Sequence, residues 1–437
     1  MKGGNRWRKL AERALEQLVK NASDRTVHCG YTMNTDVVTV VDPATLAAQL
    51  RESAGATRAS GVSNGVVVTL SDLAEVVEKS VREGLGSEWP VGEASVLEWL
   101  RSHLAGQLRV GGTGAQVADN VSALGFASIV NAPVASYRQL ALLTPSSRLW
   151  LATPHGLVLR SSLRSTPDDE PPVYHFILEF LASARVAERL ILPYDPDGRV
   201  LRICDVFIEA TLVPMSPPPR LVISGFNAPV LESERLMAFI ERVRGHLLRY
   251  RSVHPGAIVH LELGKSHRAS IRRRVLEEVV PLVDSLGMNI EEAVQLVRDL
   301  DIDHLAASLQ ENPALVCREV RSALGVSRLN IHSPAWTISA LALEGPIGEE
   351  MERLALTAGT LLAAARASLG RSPTLEELHS IAVPIPVHPD GVAFVETLEQ
   401  RGWEDMGVVA IPARQVLHPK LTVGLGDAFT AGIVAVI

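Results

Sequence analysis

The chain has 437 residues, of which 47% are hydrophobic, and 42 Lys and Arg against 49 Asp and Glu give a formal net charge of −7. This length predicts a large domain with a second, smaller one, and the negative charge excludes the basic footprint of a nucleic-acid-binding protein. No apolar stretch approaches the roughly 20 residues of a membrane span. The charged amphipathic start (1–21) lacks the apolar core of a signal peptide. The three cysteines, Cys29, Cys204 and Cys317, are an odd number without metal-like spacing, so we expect free thiols and a cytoplasmic protein.

Apolar β-like runs alternate along the chain with longer segments of helical periodicity. The predicted strands are 38–42, 65–70, 149–154, 156–160, 220–226, 257–264 and 406–412. The predicted helices are 11–21, 95–106, 234–250, 271–287 and 348–370. Pro-rich surface connections are expected at 164–175 and 214–220. Strands that alternate with such helices predict an α/β fold with a mostly parallel sheet covered on both faces.

One glycine motif is misleading. AIVHLELGKSH (257–267) places Gly-Lys-Ser after a strand, as at the end of a phosphate-binding loop. The first glycine of such a loop falls at Val259, inside the apolar strand, so this strand cannot form the glycine-rich loop. GGTGAQVAD (111–119) likewise lacks the early strand–helix unit of a dinucleotide fingerprint.

The GLGD turn at 424–427 has two interpretations. Gly424 and Gly426 would let a ligand approach the backbone, and the helix that follows would favour a phosphate at its N-terminus. Asp427 could then accept a proton from an attacking hydroxyl. Alternatively, Asp427 is an ordinary helix N-cap after a glycine turn. These four residues leave both interpretations open.

Several motifs together resemble a known family. GLGDAFTAG (424–432) and RVGGTGAQVADNVSALG (109–125) resemble the two signatures of the ribokinase-like superfamily. HLELG (260–264) and SLGMNIEEA (285–293) resemble the H-x-E and N-x-x-E motifs of ADP-dependent sugar kinases, which are glucokinases and phosphofructokinases known mainly from archaea. Further similar segments occur in family order: GYTMNTD (30–36), YHFILEF (174–180), LVISGFNAP (221–229), LNIHSPAW (329–336) and IPARQVLHPKLTVGLGD (411–427).

The resemblance spans residues from about 28 to 437 and implies a ribokinase-like fold. A large Rossmann-like domain would comprise about 1–29, 111–169 and 206–437, with a central, mostly parallel sheet covered by helices. A smaller, discontinuous α/β lid would comprise about 30–110 and 170–205.

The resemblance also implies an activity, transfer of the β-phosphate of Mg-ADP to a sugar hydroxyl with release of AMP. Asp427 would be the catalytic base. Backbone N–H groups of Gly424, Leu425 and Gly426 would bind the charge that grows on the moving group.

Glu262 and Glu292 would hold Mg²⁺, partly through waters, because Mg²⁺ needs only one or two carboxylates. The alternatives are a strand-end surface carboxylate for Glu262 and a first-turn helix acid for Glu292. The nucleotide-binding residues would be Arg189, Asn289, His332, Ile411 and Gly426. A lone His in an apolar run can equally be a core residue, so both interpretations of His332 stay open.

The sugar-binding residues implied by the resemblance are Asn34, Asp36, Glu88, Gly111, Gly112, His175 and Glu179. A carboxylate can accept two hydroxyl hydrogen bonds, and adjacent glycines let a ring approach the backbone. His175 and Glu179, four residues apart on one strand, would lie on the same face. An isolated N-x-D triplet is otherwise an ordinary turn.

Three departures from the family pattern loosen the choice of acceptor. Ile290 interrupts the metal motif, Thr113 stands where glucose-specific members commonly carry Gln, and Glu188 adds a negative charge near the anionic substrates. Glucose is slightly favoured over fructose 6-phosphate, with a nucleoside as a further acceptor.

Two other functions stay open. The competing class is a catalytically weakened sensor that binds sugar or nucleotide, and a third option is an ATP-using ribokinase relative. The expected partners are ADP and a small sugar or sugar phosphate, with no nucleic acid or membrane. We expect a monomer or a small homo-oligomer.

Overall fold

The computed structural model describes residues 2–55, 65–83, 86–165, 170–180, 189–227, 233–264, 268–305 and 308–437. The helices are α1 (Lys2–Asp24), α2 (Pro43–Ala54), α3 (Leu70–Glu83), α4 (Ala94–His103), α5 (Thr113–Ala123), α6 (Tyr137–Leu140), α7 (Asp205–Thr211), α8 (Ser233–Val253), α9 (Ala269–Glu278), α10 (Ile290–Asp299), α11 (Ser308–Glu311), α12 (Pro313–Leu324), α13 (Glu349–Leu369), α14 (Leu375–Glu377), α15 (Pro389–Gln400) and α16 (Leu425–Val436). Within these ranges, no helix has the length and apolar character needed to cross a membrane.

The strands are β1 (Thr26–Cys29), β2 (Asn34–Val41), β3 (Ser87–Glu88), β4 (Gln107–Gly111), β5 (Ala127–Asn131), β6 (Leu149–Thr153), β7 (Gly156–Leu159), β8 (Tyr174–Phe180), β9 (Arg189–Tyr194), β10 (Arg220–Ile223), β11 (Ile258–Glu262), β12 (Ser285–Asn289), β13 (Arg328–His332), β14 (Trp336–Leu341) and β15 (Val408–Pro412). They form two separate sheets.

The larger sheet has ten strands in the order β15-β14-β13-β12-β11-β10-β1-β5-β6-β7. The strands from β13 through β6 in this order are parallel, and the antiparallel strands lie at the two edges. β11 and β15 are buried along their whole length, as expected for a sheet covered on both faces. The parallel strands end at one edge, where ligands bind in open α/β sheets.

The smaller sheet has five strands in the order β3-β9-β8-β2-β4. One face packs against α2, α3 and α4 and buries a second apolar core that includes Val37, Phe176 and Leu192. Because side chains alternate between faces, the pairing register puts polar residues on the other face: Asp36, Glu88, His175, Glu179 and Arg189. Four of the five strands lie in the ranges predicted for the lid, and β4 ends one residue beyond, at Gly111; the domain boundaries stay a prediction.

Two predicted elements were wrong. The sequence predicts a strand over 65–70, but only Val67 forms an isolated bridge, and α3 begins at Leu70. It also predicts one helix over 271–287, whereas α9 ends at Glu278 and β12 begins at Ser285. Pro281 cannot continue the helix because it has no N–H, and short apolar runs do not distinguish a buried strand from a helix.

A cluster of histidines and tyrosines is buried between β1 and α8. The His28 Nδ1 lies 3.1 Å from the Tyr250 hydroxyl, and the Tyr31 hydroxyl lies 2.9 Å from the His246 Nδ1. The His246 Nε2 lies 2.9 Å from the Thr211 hydroxyl. Burial, aided by neighbouring positive groups, lowers the pKa of His28 to about 3 and that of His246 to about 4.

We expect this cluster to make the fold sensitive to acid. Unfolded histidines, with a pKa near 6.5, bind protons at pH values at which the buried ones stay neutral. Above pH 7 neither state binds these protons, and the histidines do not reduce the free energy of unfolding. The free energy of unfolding falls as the pH drops from about 6.5 towards 4, by about 1.4 kcal/mol per pH unit for each histidine. Urea unfolding at pH 7.5 and 5 should show a smaller pH-dependent loss for His246→Gln than for the parent. The exposed His103 supplies the control, His103→Gln, and equal losses in all three proteins would contradict the prediction.

Candidate active site

The Gly424–Asp427 turn lies at the start of α16. Gly424 is the N-cap residue with φ of 71°, a conformation that favours glycine. A Cβ atom at Gly424 would lie 1.8 Å from the side-chain oxygen of Gln116 on α5, so the turn is packed directly against that helix. Asp427 is the third residue of α16 and not its N-cap, so the ordinary N-cap interpretation is wrong. The first N–H groups of a helix lack intrahelical acceptors, which makes this turn suited to an anion.

Asp427 is surrounded by groups that act on its ionisation. Burial raises the pKa of Asp427, and the charge of Glu262 raises it further. A hydrogen bond from the Thr113 hydroxyl and the positive groups of Arg366 and His332 oppose this rise. Thr113 stands where the resemblance would place a Gln of the sugar pocket. Its hydroxyl instead stabilises the ionised form of Asp427. A carboxylate with a raised pKa is a stronger proton acceptor.

Glu262 ends β11 at the same edge of the sheet. Its Oε2 accepts a hydrogen bond of 2.8 Å from Thr430 on α16 and lies 3.1 Å from the His260 Nε2. Its Oε1 lies 3.4 Å from the His332 Nε2. Burial would raise the pKa of Glu262, but the hydrogen bonds from His260 and His332 outweigh burial and lower the pKa to about 2. Glu262 is therefore a buried, ionised carboxylate, not a surface one.

A chain of hydrogen bonds fixes the orientation of His260. Arg328, which forms a buried two-bond ion pair with Glu352, donates to the Ser285 hydroxyl at 2.9 Å. Since Arg328 cannot accept a hydrogen bond, the Ser285 hydroxyl is free to donate to the His260 Nδ1, 2.8 Å away. This arrangement leaves the proton of His260 on Nε2, pointing at Glu262.

Glu292 lies in the first turn of α10, as its alternative interpretation states. Asn289 is the N-cap, and the two residues form a capping box: Asn289 accepts from the Glu292 N–H, and Glu292 accepts from the Asn289 N–H at 2.8 Å. Burial raises the pKa of Glu292 to about 8, with a contribution from Glu262. A nearby cation would favour ionisation of both carboxylates.

The donor set fits Mg²⁺ in particular. Within the described residues, no group of three or more His, Cys, Asp or Glu side chains could hold a metal ion. Mg²⁺ does not require such a cage, because it keeps several waters and shares substrate phosphates. Glu262 and Glu292 are two carboxylates that interact electrostatically, and their number and oxygen donors fit that requirement.

Asp36 lies at the junction between the two sheets. Its Oδ1 accepts a 2.7 Å hydrogen bond from the Asn34 side chain. A Cβ at Gly111, on the neighbouring strand β4, would lie 2.1 Å from this oxygen and 2.3 Å from the Asn34 Nδ2. Gly112, the N-cap of α5, has φ of 84°, and a Cβ there would lie 2.6 Å from the Thr32 carbonyl oxygen. The absence of a side chain at Gly111 thus leaves room for the Asn34–Asp36 pair, and its absence at Gly112 lets the start of α5 approach the Thr32 backbone.

His175 and Glu88 share a sheet face with Asp36. Burial lowers the pKa of His175 to about 4, and within the described part of the chain its Nε2 is buried without a hydrogen-bond partner. Burial, with the charge of Asp36, raises the pKa of Glu88 to about 7. Burial likewise raises the pKa of Asp36 to about 7, despite the hydrogen bond from Asn34. Buried polar atoms without partners are rare, so the His175 Nε2 is available to a hydroxyl or a water molecule.

Glu179 and Arg189 connect the smaller sheet to the segment before the glycine turn. Glu179 accepts a short hydrogen bond from the Thr422 hydroxyl, and Arg189 donates to the Thr422 carbonyl at 2.6 Å. Arg189 also lies 3.7 Å from Glu179. His175 and Glu179 do lie on one face of β8, as predicted, but Glu179 is occupied by protein groups in this conformation.

A cleft of about 1500 Å³ opens beside these residues. The predicted site residues that line it are Glu88, Arg189, Asn289, Glu292, His332, Leu425 and Gly426. The segment after β15, including Arg414 and Leu417, lines its outer part. Ile411 itself is buried in β15, so the residues that follow it form this wall. His332 contacts Glu262, and a Cβ at Gly426 would lie 3.3 Å from its ring, so this side chain lies between the carboxylate and the glycine turn.

Sequence reasoning missed three residues of this site, Gln116, Thr430 and Arg366, and it missed the supporting role of Thr113. Gln116 and Thr430 lie inside the motifs at 109–125 and 424–432. Gln116 follows Thr113 by three residues, and Thr430 follows Asp427 by three residues, so each pair lies on one face of its helix. Arg366 had no such signal, because α13 is distant in sequence. Three residues of interest, Glu188, Lys265 and Ser266, lie outside the described residues.

Comparisons with known proteins agree with this geometry. A family model described as the ADP-specific phosphofructokinase/glucokinase conserved region matches residues 25–436. An ADP-specific phosphofructokinase from Thermococcus zilligii is 23% identical over 96% of this chain and 97% of its own length. An ADP-dependent glucose/glucosamine kinase from Pyrococcus furiosus is 25% identical over 97% of each chain.

Solved structures share the fold. An ADP-dependent kinase in complex with fructose 6-phosphate and ADPβS superposes with a TM-score of 0.81 at 21% identity, over 98% of this chain and 97% of that chain. The last common ancestor of ADP-dependent phosphofructokinases from Methanosarcinales gives a TM-score of 0.78 at 21% identity, over 99% and 98% of the two chains. The predicted α/β class, with a large mostly parallel sheet and a smaller second sheet, is confirmed.

Proposed function

The chain belongs to the family of ADP-specific phosphofructokinases and glucokinases, and we propose that, as an ADP-dependent sugar kinase, it transfers the β-phosphate of ADP to a sugar hydroxyl and releases AMP. The observation that carries this proposal is the position of Asp427. It lies at the N-terminus of α16, where an anion can bind, and on the same sheet edge as Glu262.

In the proposed reaction, Asp427 accepts the proton of the sugar hydroxyl. The sugar oxygen then forms a bond to the β-phosphorus, and the bond from that phosphorus to the bridging oxygen breaks, so AMP leaves with the electron pair. Backbone N–H groups of the Gly424–Gly426 turn stabilise the charge on the moving phosphoryl group. The proton acceptor and the anion site are adjacent, as this chemistry requires.

Glu262 and Glu292 are the residues that would hold Mg²⁺. When bound, the ion would neutralise phosphate charge. Glu262 is prepared for this role because His260 and Thr430 hold one of its oxygens, Oε2. Ile290, which interrupts the metal motif, is the first residue of α10 and packs partly buried against the apolar core.

The charges of the sugar pocket favour glucose over fructose 6-phosphate. Asp36 and Glu88 are two interacting carboxylates, and His175 is neutral because its pKa is lowered. The pKa of each of these carboxyl groups is raised to about 7; when the pair is ionised it would repel a phosphate dianion, whereas neutral sugar hydroxyls can hydrogen-bond to the pair in either ionisation state. Arg189 is engaged by Thr422 and Glu179, and Arg109 donates to the Gly370 carbonyl and the Gln107 side chain.

The smaller sheet is the proposed lid. Its substrate-facing side touches the segment before the glycine turn through the Arg189–Thr422 and Glu179–Thr422 hydrogen bonds. Closure of this lid would exclude water and prevent ADP hydrolysis without sugar. The oligomeric state, expected to be a monomer or a small homo-oligomer, stays a prediction.

The proposal predicts sugar-dependent AMP release. AMP should be measured from Mg-ADP with glucose, fructose 6-phosphate, ribose, several nucleosides and no acceptor, with ATP in parallel. We expect release with ADP and the largest kcat/KM for glucose. Glu88→Gln should raise the KM for glucose and lower it for fructose 6-phosphate, because the variant removes a hydrogen-bond acceptor and a negative charge together.

Other outcomes of this assay discriminate the alternatives. A larger kcat/KM for fructose 6-phosphate would contradict the assignment of the acceptor but not of the reaction. ADP binding without AMP release from any acceptor would favour the sensor. ATP turnover in place of ADP turnover would overturn the proposed donor.

A further inference from the structure

Arg366 is a buried cation that has no contact ion pair. It lies on α13 with 5% of its surface exposed, and among the described residues no carboxylate lies within 4 Å of its guanidinium. Buried charges in proteins are normally paired. Its hydrogen bonds go to neutral groups instead: one of 2.8 Å to the Gln116 side-chain oxygen and one of 2.9 Å to the Ser372 hydroxyl. Its Nε has no partner in the described structure.

The first of these bonds reaches the catalytic turn. The Gln116 oxygen that accepts from Arg366 is the same atom that a Cβ at Gly424 would meet at 1.8 Å. Arg366 therefore holds the side chain on which the Gly424 backbone rests. α13 and α5 both pack against α16, so the contact joins the three helices beneath the turn.

The second observation concerns charge. Asp427 and Asp36, the proposed base and sugar carboxylate, both interact electrostatically with Arg366. The other groups that act on these carboxylates are Glu262 from β11 and His332 from β13, which act on Asp427, and Arg109 from β4, which acts on Asp36; the two carboxylates also act on each other. Asp119 on α5 acts on Arg366 as well. Arg366 is the permanent positive charge that acts on both Asp427 and Asp36, because arginine does not titrate.

We propose that Arg366 is a positioning residue for phosphoryl transfer: it fixes the Gly424–Asp427 turn through Gln116 and supplies the buried positive charge that balances Asp427 and Asp36. The inference rests on the proposed function, in which Asp427 is the base. The competing explanation is purely structural, since Ser372 links Arg366 to Asp119 on α5. That role would affect stability but not the ionisation of Asp427.

The test compares Arg366→Met with Arg366→Lys. The pH dependence of kcat/KM should be measured with ADP and the best acceptor, alongside ADP affinity and thermal stability. Arg366→Met should lower kcat and move the acid limb of the profile upward by on the order of one pH unit. Arg366→Lys should restore the limb because it keeps the charge. Arg160, another buried arginine, donates to the Leu143 and Ala141 carbonyls and does not bond Gln116, so Arg160→Met should leave the limb in place.

A second variant keeps the charge and removes the bridge. Gln116→Leu should lower kcat without moving the acid limb, and an unchanged kcat would overturn the turn-fixing role. A folded Arg366→Met with the parent profile would overturn the charge-balancing role. If Arg366→Met does not fold, Arg366→Gln replaces it, because this variant keeps a side-chain N–H donor but removes the charge; a folded Arg366→Gln with the parent limb would overturn the charge-balancing role. Loss of turnover in Asp427→Asn with parent behaviour in the Arg366 variants would leave the proposed function intact and refute only this inference.

Discussion

Asp427→Asn is expected to lower kcat by about 10²–10⁴-fold, the range of general-base catalysis, while ADP still binds. The amide keeps the shape of the carboxylate and can still accept from the Thr113 hydroxyl, but it cannot take up the proton of the sugar. The turn that would bind phosphate is formed by backbone atoms and is unaffected. AMP release gives kcat, and calorimetric titration gives the affinity for ADP.

The matched control for this prediction is Asp205→Asn. Asp205 also lies in the first turn of a helix, α7, but its side chain is 83% exposed. Its substitution should leave turnover as in the parent. A kcat for Asp427→Asn within tenfold of the parent would remove Asp427 from the role of base.

Gly111→Ala is expected to lower kcat/KM for the sugar by about 100-fold, the cost of a misplacement near 1 Å in an active site. The new Cβ would lie 2.1 Å from the Asp36 Oδ1 and 2.3 Å from the Asn34 Nδ2. Asp36 is 5% exposed and hydrogen-bonded to Asn34, so the new Cβ would displace its carboxylate from the position that it occupies in the parent. Steady-state kinetics with sugar varied at saturating ADP would show the loss.

ADP affinity should stay within a few-fold of the parent in Gly111→Ala, because Gly111 does not line the cleft that contains the proposed nucleotide-binding residues Asn289 and His332. Gly245→Ala is the control, since a Cβ at this position in α8 meets no atom within 4 Å. Parent-like sugar kinetics in Gly111→Ala would mean that Asn34 and Asp36 do not bind the acceptor.

The local motifs of the site were predictable because their chemistry is local. Gly424 and Asp427 belong to one turn, and Asn289 and Glu292 form one capping box, so four residues of sequence contain each geometry. The parallel α/β class also followed from the alternation of strands and helices. The errors occurred where periodicity is ambiguous, as at 285–289, where an apolar run that continues a helical pattern is the strand β12.

Tertiary structure alone decided what surrounds these motifs. Thr113 supports Asp427 and Arg366 holds Gln116, although 314 and 250 residues separate the partners. Glu179 is bound by Thr422, and Ile411 is buried in its strand. The sequence by itself determined which side chains could perform proton transfer and hold an anion, because these properties belong to residue types at short spacing. Their ionisation depends on burial and on charges from distant strands and helices, and these are set only when both sheets and their helices pack together.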